Sequence, residues 1–512
     1  MSLEYIDNGF SDSELVIGIV AAVGTELDSV ISTLIDHLRA LNYYANTIQV
    51  SKDIIPGIIP VNLDPNANEA KRVTLLMDAG NDARKFSKNN SILALGTAAK
   101  ICEGRPSEIE DIKAERHRKR HVYIVKQLKH PEEVWKLRQI YSGGFYLLGV
   151  YSDYERRHDY LVNEKHLLEK DATAIMKRDS DEHKPYGQRV RDTFHLSDFF
   201  LHASSNTDNL RHSLSRVLDI LFGHPNKTPT FDEYAMFMAS AAGLRSADLS
   251  RQVGAVIARN NEILATGAND CPKFGGGLYW PEVCPQTSEI VDVENGRDYM
   301  KGIDSNEQKK QEIINSVIDG LRRSKVSARS IRNALEKSEI NDITEYGRAV
   351  HAEMEAILSC ARNNINCKNA TLYTTTFPCH NCARHIIAAG IKRVVYVEPY
   401  PKSKAPQLHD DSISLGLAND SAKLRFEPFV GIGPRRFFDL FSMSLGSGYK
   451  LIRKGAKGRV KKWNPKESKL RIQMIPVSYL HREATATKLF RDEWRMIDEQ
   501  FSKPKQRKPR NN

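Results

Sequence analysis

His351 and the run Pro378-Cys379-His-Asn-Cys382 place one imidazole and two thiols in a short stretch of chain, with Glu353 two residues beyond the histidine. Zinc prefers these ligands, and a set of three leaves the fourth tetrahedral position open to water, as catalytic rather than structural sites do. Zinc so held brings the pKa of water from 15.7 to about 7. Glu353 is the acid–base group of the set, placed to carry a proton between that water and a substrate, help worth about 10²- to 10⁴-fold. A lone Cys-x-x-Cys is also compatible with a redox pair or half of a structural four-cysteine site. No second Cys-x-x-Cys exists, however, and a redox pair leaves His351 and Glu353 without a role. His380 and His385 read as surface or packing residues. Cys271 and Cys284 have no evident partners for a second metal site.

These groups must be positioned by short elements. The apolar patterns predict helices over 351–363 and 379–389, so that His351 and Glu353 open one helix and Cys379 and Cys382 the next, where the helix dipole favours thiolate. Strands are expected over 370–376 and 393–397, and a hairpin over 253–258 and 262–266 with Arg259-Asn-Asn261 at a turn suited to positive φ. A helical segment, 230–244, precedes the hairpin, and a charged insert of residues 273–346, helical over 307–322, interrupts the block.

Upstream, the apolar run 15–24, a helical stretch 27–41 and the strand-like run 45–50 begin a β-α-β pattern. A helix at 71–88, a strand at 121–126, a helix at 131–141 and a strand at 144–150 continue it, as a parallel sheet with covering helices requires. Gly18, Gly24 and Thr25 lie between the first strand and the first helix, where a P-loop wraps phosphate. Five residues rather than four separate the glycines, and Glu26 follows Thr25 with no lysine. A kinase is therefore not expected, although N–H groups at Gly24 and Thr25 could still meet an anion at the helix start.

The sequence divides into an N-terminal P-loop-like parallel α/β domain (1–223), a linker (224–229), a second α/β domain (230–449) and a basic extension (450–512). Of the formal charge of +11, residues 450–512 contribute 19 − 6 = +13, so the other 449 residues sum to −2. Such clustered positive charge is read either as a solvated extension or as the electrostatic footprint of RNA binding. No run of about 18 uncharged apolar residues suggests a membrane span. Seven cysteines in a long chain suit a reducing compartment, and a cytoplasmic protein is expected.

The His-x-Glu and Pro-Cys-x-x-Cys pair resembles the signature of zinc-dependent nucleoside and nucleotide deaminases. Arg251-Gln-Val-Gly-Ala-Val-Ile, Ala265-Thr-Gly-Ala-Asn269-Asp-Cys-Pro272 and Ile386-Ile-Ala-Ala-Gly-Ile-Lys-Arg-Val-Val-Tyr396 narrow the likeness to deoxycytidylate deaminase. The resemblance implies a cytidine deaminase-like α/β/α sandwich on a mixed sheet over most of residues 230–430. It implies His351, Cys379 and Cys382 on Zn²⁺ and Glu353 as the catalytic residue. By it, Asn269 holds the sugar hydroxyl, the Ala352 N–H the cytosine carbonyl, and Arg251 with Tyr400 and Lys402 the phosphate end. Glu355 departs from the family's usual Asn, and Asp270-Cys271 from its usual Gly-x. A P-loop kinase-like domain fused to such a deaminase resembles bacterial phage-defence deaminases. That likeness implies conversion of dCTP and dCMP to dUTP and dUMP, an inhibitory RNA partner and a homo-oligomer, the resembling deaminases often being hexameric. A polynucleotide cytosine deaminase, using the basic tail to hold RNA or DNA, is the alternative.

Overall fold

The first strand, Leu15–Ala21, is buried at every position, which requires layers on both faces of the sheet it joins. In the computed structural model, the described residues are 12–61, 68–105, 117–180, 182, 185–203, 207–321, 326–338, 340, 343, 345–398, 403–416 and 422–502. In chain order the strands are β1 Leu15–Ala21, β2 Tyr44–Gln49, β3 His121–Lys126, β4 Phe145–Tyr151, β5 Phe199–His202, β6 Gly254–Arg259 and β7 Glu262–Ala268. They continue with β8 Glu282–Val283, β9 Ile290–Val291, β10 Thr371–Thr374, β11 Arg393–Tyr396, β12 Ile413–Leu415, β13 Leu424–Pro428 and β14 Gly431–Ile432. The chain forms two units: Met1–Glu233 with Glu398–Pro401 and Pro428–Asn512, and Tyr234–Val397 with Lys402–Glu427.

The sheet of the first unit has the order β14-β5-β4-β1-β3-β2. Its five N-terminal strands pair in parallel, and β14 closes the edge antiparallel to β5. The helix Leu27–Ala40 follows β1 and turns Leu27, Val30, Ile31, Leu34 and Leu38 inward, an i, i+3, i+4, i+7 stripe. These residues join Leu15, Ile17, Tyr146, Leu148 and Leu201 in one core. Helix Ile92–Glu103 and strand β5, both absent from the sequence-based expectation, complete the layers.

The basic extension expected over 450–512 is not a separate piece of chain. Its described part belongs to the first unit, because apolar residues hidden among its charges, Leu451, Leu470, Ile472, Tyr479 and Ile497, are buried. Its helix Pro476–Ser502 is tied down by a buried ionic network. Arg105 donates to Glu14 at 2.8 Å and to Glu483 at 2.6 Å, and the Tyr141 hydroxyl reaches Glu483 at 2.8 Å. Residues 428–449, expected in the second domain, likewise fall in the first unit.

In the second unit the sheet order is β12-β13-β11-β10-β6-β7. The β6–β7 hairpin turns at Asn260 and Asn261, both left-handed at φ 54° and 61°, as two-residue hairpins with matching twist require. β10 pairs antiparallel with β6 and parallel with β11, which makes the sheet mixed. Gly267 on β7 lets the helix Ala352–Arg362 lie directly on the sheet: a Cβ there would stand 2.1 Å from the Ala352 carbonyl. The insert contains the β8–β9 ladder and the helices Ser305–Gly320 and Ala328–Glu336. Among the described residues no helix is long and apolar enough to cross a membrane.

Candidate active site

Two helix starts carry the chemistry. His351 is the extended residue before the helix Ala352–Arg362, and Cys379 holds the same place before the helix His380–Ala388, its sulfur accepting the Cys382 N–H at 3.4 Å. β10 lies between them in sequence and ends at the site. His351 Nδ1 stands 3.3 Å from the sulfur of Cys379 and 3.3 Å from that of Cys382. All three ligand atoms lie within 4.8 Å of one another. Tetrahedral zinc with normal bond lengths sets N···S separations of about 3.5 Å, so this donor set fits the ion in both chemistry and spacing.

Glu353 is buried in the first turn of the helix. Its Oε2 accepts from the Cys382 thiol at 3.4 Å and its Oε1 from the Thr374 hydroxyl at 3.3 Å. Burial, and then the charge on Cys379, raise the Glu353 carboxyl above its ordinary range. The Cys379 thiol moves the other way, to about 4, chiefly through the hydrogen bond from Cys382 and further through His351, against the cost of burial.

A cavity of about 210 Å³ opens on these groups, lined by His351, Ala352, Glu353 and Cys379, by Asn269 and Arg251, and by Thr376 and Phe377. Arg348, Asp298, Asp304 and Asn306 also line it; apart from Arg348 these come from the insert, whose contribution the motif pattern did not reveal. Arg348 is held by Asp298 at 2.9 Å and by the Gly296 carbonyl at 2.9 Å. Arg251 has no carboxylate at ion-pair distance among the described residues.

Asn269 is committed to the backbone. Its Oδ1 accepts from Val253 N–H at 2.6 Å and its amide donates to the Arg251 carbonyl at 2.8 Å. It therefore fixes the segment carrying Arg251, and next to it Asp270 and Val350 exchange backbone hydrogen bonds that anchor the approach to His351. Glu355, where the resemblance leads one to look for Asn, turns to Arg362 at 2.5 Å instead of lining the cavity. Tyr400 and Lys402 lie outside the described residues. In the first unit, Gly18 sits mid-strand against Leu128 and Phe145, away from the loop. Gly24 and Thr25 are in the loop, where the Thr25 N–H donates to the Ala22 carbonyl at 3.2 Å and so faces no anion.

Three nitrogen and sulfur donors with an open position, beside a buried carboxylate, define a zinc-dependent hydrolytic centre. Residues 229–398 match the model of the cytidine and deoxycytidylate deaminase zinc-binding region. The deoxycytidylate deaminase of Enterobacteria phage T4 is 35% identical over 158 residues, covering 30% of this chain and 71% of that protein. That of Mycobacterium phage D29 is 30% identical over 168 residues, 33% of this chain and 94% of its own. A structure of dCMP deaminase from cyanophage S-TIM5, in complex with dCMP and dUMP, covers 40% of this chain and 100% of its own at 17% identity, with a TM-score of 0.22. The chain belongs to the deoxycytidylate deaminase family, and it is a hydrolytic deaminase with zinc as cofactor.

Proposed function

We propose that the protein deaminates free deoxycytidine nucleotides, dCMP and dCTP to dUMP and dUTP, in the cytoplasm. The observation that carries this reading is that Glu353 lines the same cavity as His351 and Cys379. In this reading His351, Cys379 and Cys382 hold the zinc. The bound ion supplies Lewis acidity that makes water nucleophilic near neutral pH. Glu353 takes the proton released as water adds to C4 of cytosine, delivers it to N3, and then carries a second proton to the departing amine, so that ammonia leaves and uracil forms. The Ala352 N–H fixes the cytosine carbonyl. Asn269 holds the Arg251 segment in place and meets the sugar hydroxyl, and Arg251 takes the phosphate, with Tyr400 and Lys402 as further phosphate contacts.

A polynucleotide substrate is disfavoured by the cavity's lining. Asp248, Asp298 and Asp304 stand there against Arg251 and Arg348, and carboxylates repel a continuous phosphate backbone. Incubation of the purified chain with dCMP, dCTP, CMP, CTP and cytosine-bearing oligonucleotides, with products read by mass spectrometry, decides the matter. Deaminated oligonucleotides with unaltered free nucleotides would establish the alternative.

We read the first unit as a P-loop kinase-like domain kept for binding and not for phosphoryl transfer. The order of its parallel strands, with the loop after β1 leading into a helix, supports the fold assignment. Thr25-Glu26 stands where the loop would need a lysine, and Glu26 pairs with Arg156 at 3.2 Å. The domain order supports a role in depleting dCTP during phage infection, and phage plating on cells expressing wild-type or Glu353→Ala protein tests it. An inhibitory RNA would meet the exposed lysines and arginines of 450–469, among them Lys454, Lys457, Arg459, Lys461 and Lys462. Neutralising these five should weaken RNA binding and flatten its salt dependence. A homo-oligomer, with a hexamer as the form to look for, is readily checked by sedimentation.

A further inference from the structure

The first unit holds a cavity of about 360 Å³, larger than the deaminase cavity, walled by the loop of Val23 to Thr25, by Lys126 at the end of β3 and Lys129 after it, and by the helix Glu69–Ser87. It lies at the carboxyl ends of parallel strands, where open α/β sheets bind their ligands. The reaction assigned to the second unit leaves this cavity without a use.

The loop at its base is not free to take phosphate. The Val23 N–H donates to Asp179 Oδ2 at 2.8 Å, and Asp179 Oδ1 accepts from Lys129 Nζ at 2.9 Å. The carboxylate, 1% exposed, thus occupies an anion position at the loop. Arg157 closes the far side by donating to the Val23 carbonyl at 3.3 Å. Of the other cations in the lining, Lys126 is spent on Asp28 at 2.5 Å, Arg72 on Glu69 at 2.5 Å and Arg84 on Glu133 at 2.7 Å, while Lys165 lies 5.2 Å from the Tyr160 ring centre with no carboxylate at ion-pair distance among the described residues. A triphosphate needs uncompensated positive charge, and this lining offers little.

What the cavity does offer is hydrogen-bonding capacity left open on buried side chains. Thr25 Oγ1, Gln188 Oε1 and Arg84 Nε have no partner among the described residues. Their residues are 7%, 8% and 1% exposed, and all three line this cavity. Buried polar atoms are almost always paired, so three orphans around one space call for a molecule that supplies the partners. Gln188 Oε1 asks for an N–H or O–H, Arg84 Nε for an acceptor, and Thr25 Oγ1 takes either. Val73, Leu76, Met77, Leu93 and Leu161 give apolar walls. Apolar walls, a few fixed polar groups and paired charges suit an uncharged, flat molecule bearing both donors and acceptors.

We propose that this cavity is a binding site for an uncharged nucleoside, held by Thr25, Arg84 and Gln188, and that Asp179 excludes nucleoside triphosphates from it. The proposal does not depend on the deaminase reading.

Calorimetry on the full chain with deoxyadenosine, deoxyguanosine, thymidine and Mg·ATP tests it, with hydrogen–deuterium exchange on the wild type locating any ligand that binds. At least one nucleoside should bind with a Kd below about 1 mM, at least tenfold more tightly than Mg·ATP. It should protect the segments 22–28 and 185–190 from exchange. Gln188→Leu, and separately Met77→Trp, which fills space from the helix Glu69–Ser87, should each weaken binding about tenfold or more. The proposal is overturned if no nucleoside binds, if Mg·ATP binds as well as any of them, or if protection is confined to residues 234–397. Because exchange is read on unaltered protein, the site can be located even where a variant fails to fold, and the result is separate from whether deamination occurs.

Discussion

The Thr374 hydroxyl donates to Glu353 Oε1 at 3.3 Å, and both residues are buried. Strand β10 thereby holds this buried carboxylate, the proposed acid–base group, from outside its own helix. A hydrogen bond to a charged group is worth about 1.5–3 kcal/mol. Thr374→Val should accordingly lower kcat roughly tenfold or more with zinc content unchanged, and Thr374→Ser should restore most of it. Equal kcat in Thr374→Val and wild type would free the threonine of this role.

Glu353→Ala should keep zinc and fold while deamination falls by about 10²- to 10⁴-fold, the usual worth of a proton carrier. Metal analysis and turnover on one preparation separate this outcome from a ligand's loss. Activity within a few fold of wild type would move the proton transfer elsewhere.

One zinc per chain is expected, since among the described residues His351, Cys379 and Cys382 are the one group of this kind close enough to share an ion. Cys379→Ala should lose both metal and turnover, and a chelator should reproduce the loss in the wild type, with zinc restoring it. Full activity of zinc-free protein would dismiss the assignment.

The buried trio of Glu14, Arg105 and Glu483 should be costly to break from its centre. Arg105→Leu leaves two carboxylates without their cation, a change that costs about 3–5 kcal/mol at such sites. Denaturant unfolding of the first unit reads it, and an unchanged midpoint would mean that solvent reaches the pair.

Acid should weaken the first unit through His130. Burial is the main cause holding this imidazole below its ordinary value of 6.5, with Glu133 opposing. The unfolded chain therefore binds a proton more readily than the folded one, and the stability tied to the neutral ring, complete above 6.5, is lost as pH falls toward the folded value. His130 also accepts the Glu132 N–H at 3.2 Å as a helix cap. His130→Asn keeps a capping acceptor and removes the titration, so its unfolding midpoint should fall less than the wild type's between pH 7 and pH 5.5. Parallel curves for the two proteins would exclude the histidine.

Much of the candidate site is legible in the sequence because its groups are local: His351 and Glu353 share a helix start, Cys379 and Cys382 another, and the separation between ligand atoms follows once β10 joins them. The β6–β7 turn is equally plain, since Asn260 and Asn261 tolerate the left-handed region. Asp298 is not legible as a lining residue, because the insert carries no motif and only its folded path brings it to the cavity, and Arg348, just past the insert, is brought there with it by its pairing to Asp298. Asn269 reads in sequence as a ligand contact, whereas its short-range pairing with Arg251 and Val253 needs the folded loop to be seen. The tail misleads most. Its net charge hides the apolar spacing of Leu470, Ile472 and Tyr479, and nothing local in Glu483 announces a partner as distant as Arg105.

That pairing of distant segments has a consequence for the order in which the protein can be made. The deaminase unit, 234–397 with 402–427, is an interruption in the chain of the first unit. As the polypeptide leaves the ribosome, strands β1 to β5 emerge early, yet β14 and the helix Pro476–Ser502 emerge only after the whole deaminase unit. Until then the β5 edge lacks its antiparallel cover, Arg105 lacks Glu483 and Glu14 lacks the Tyr479 hydroxyl. The deaminase unit can finish folding while the first unit is still waiting for its last pieces, so a chain that stops short near residue 430 would carry a formed zinc site on an unfinished partner. Limited proteolysis of stalled nascent chains would make that interval visible.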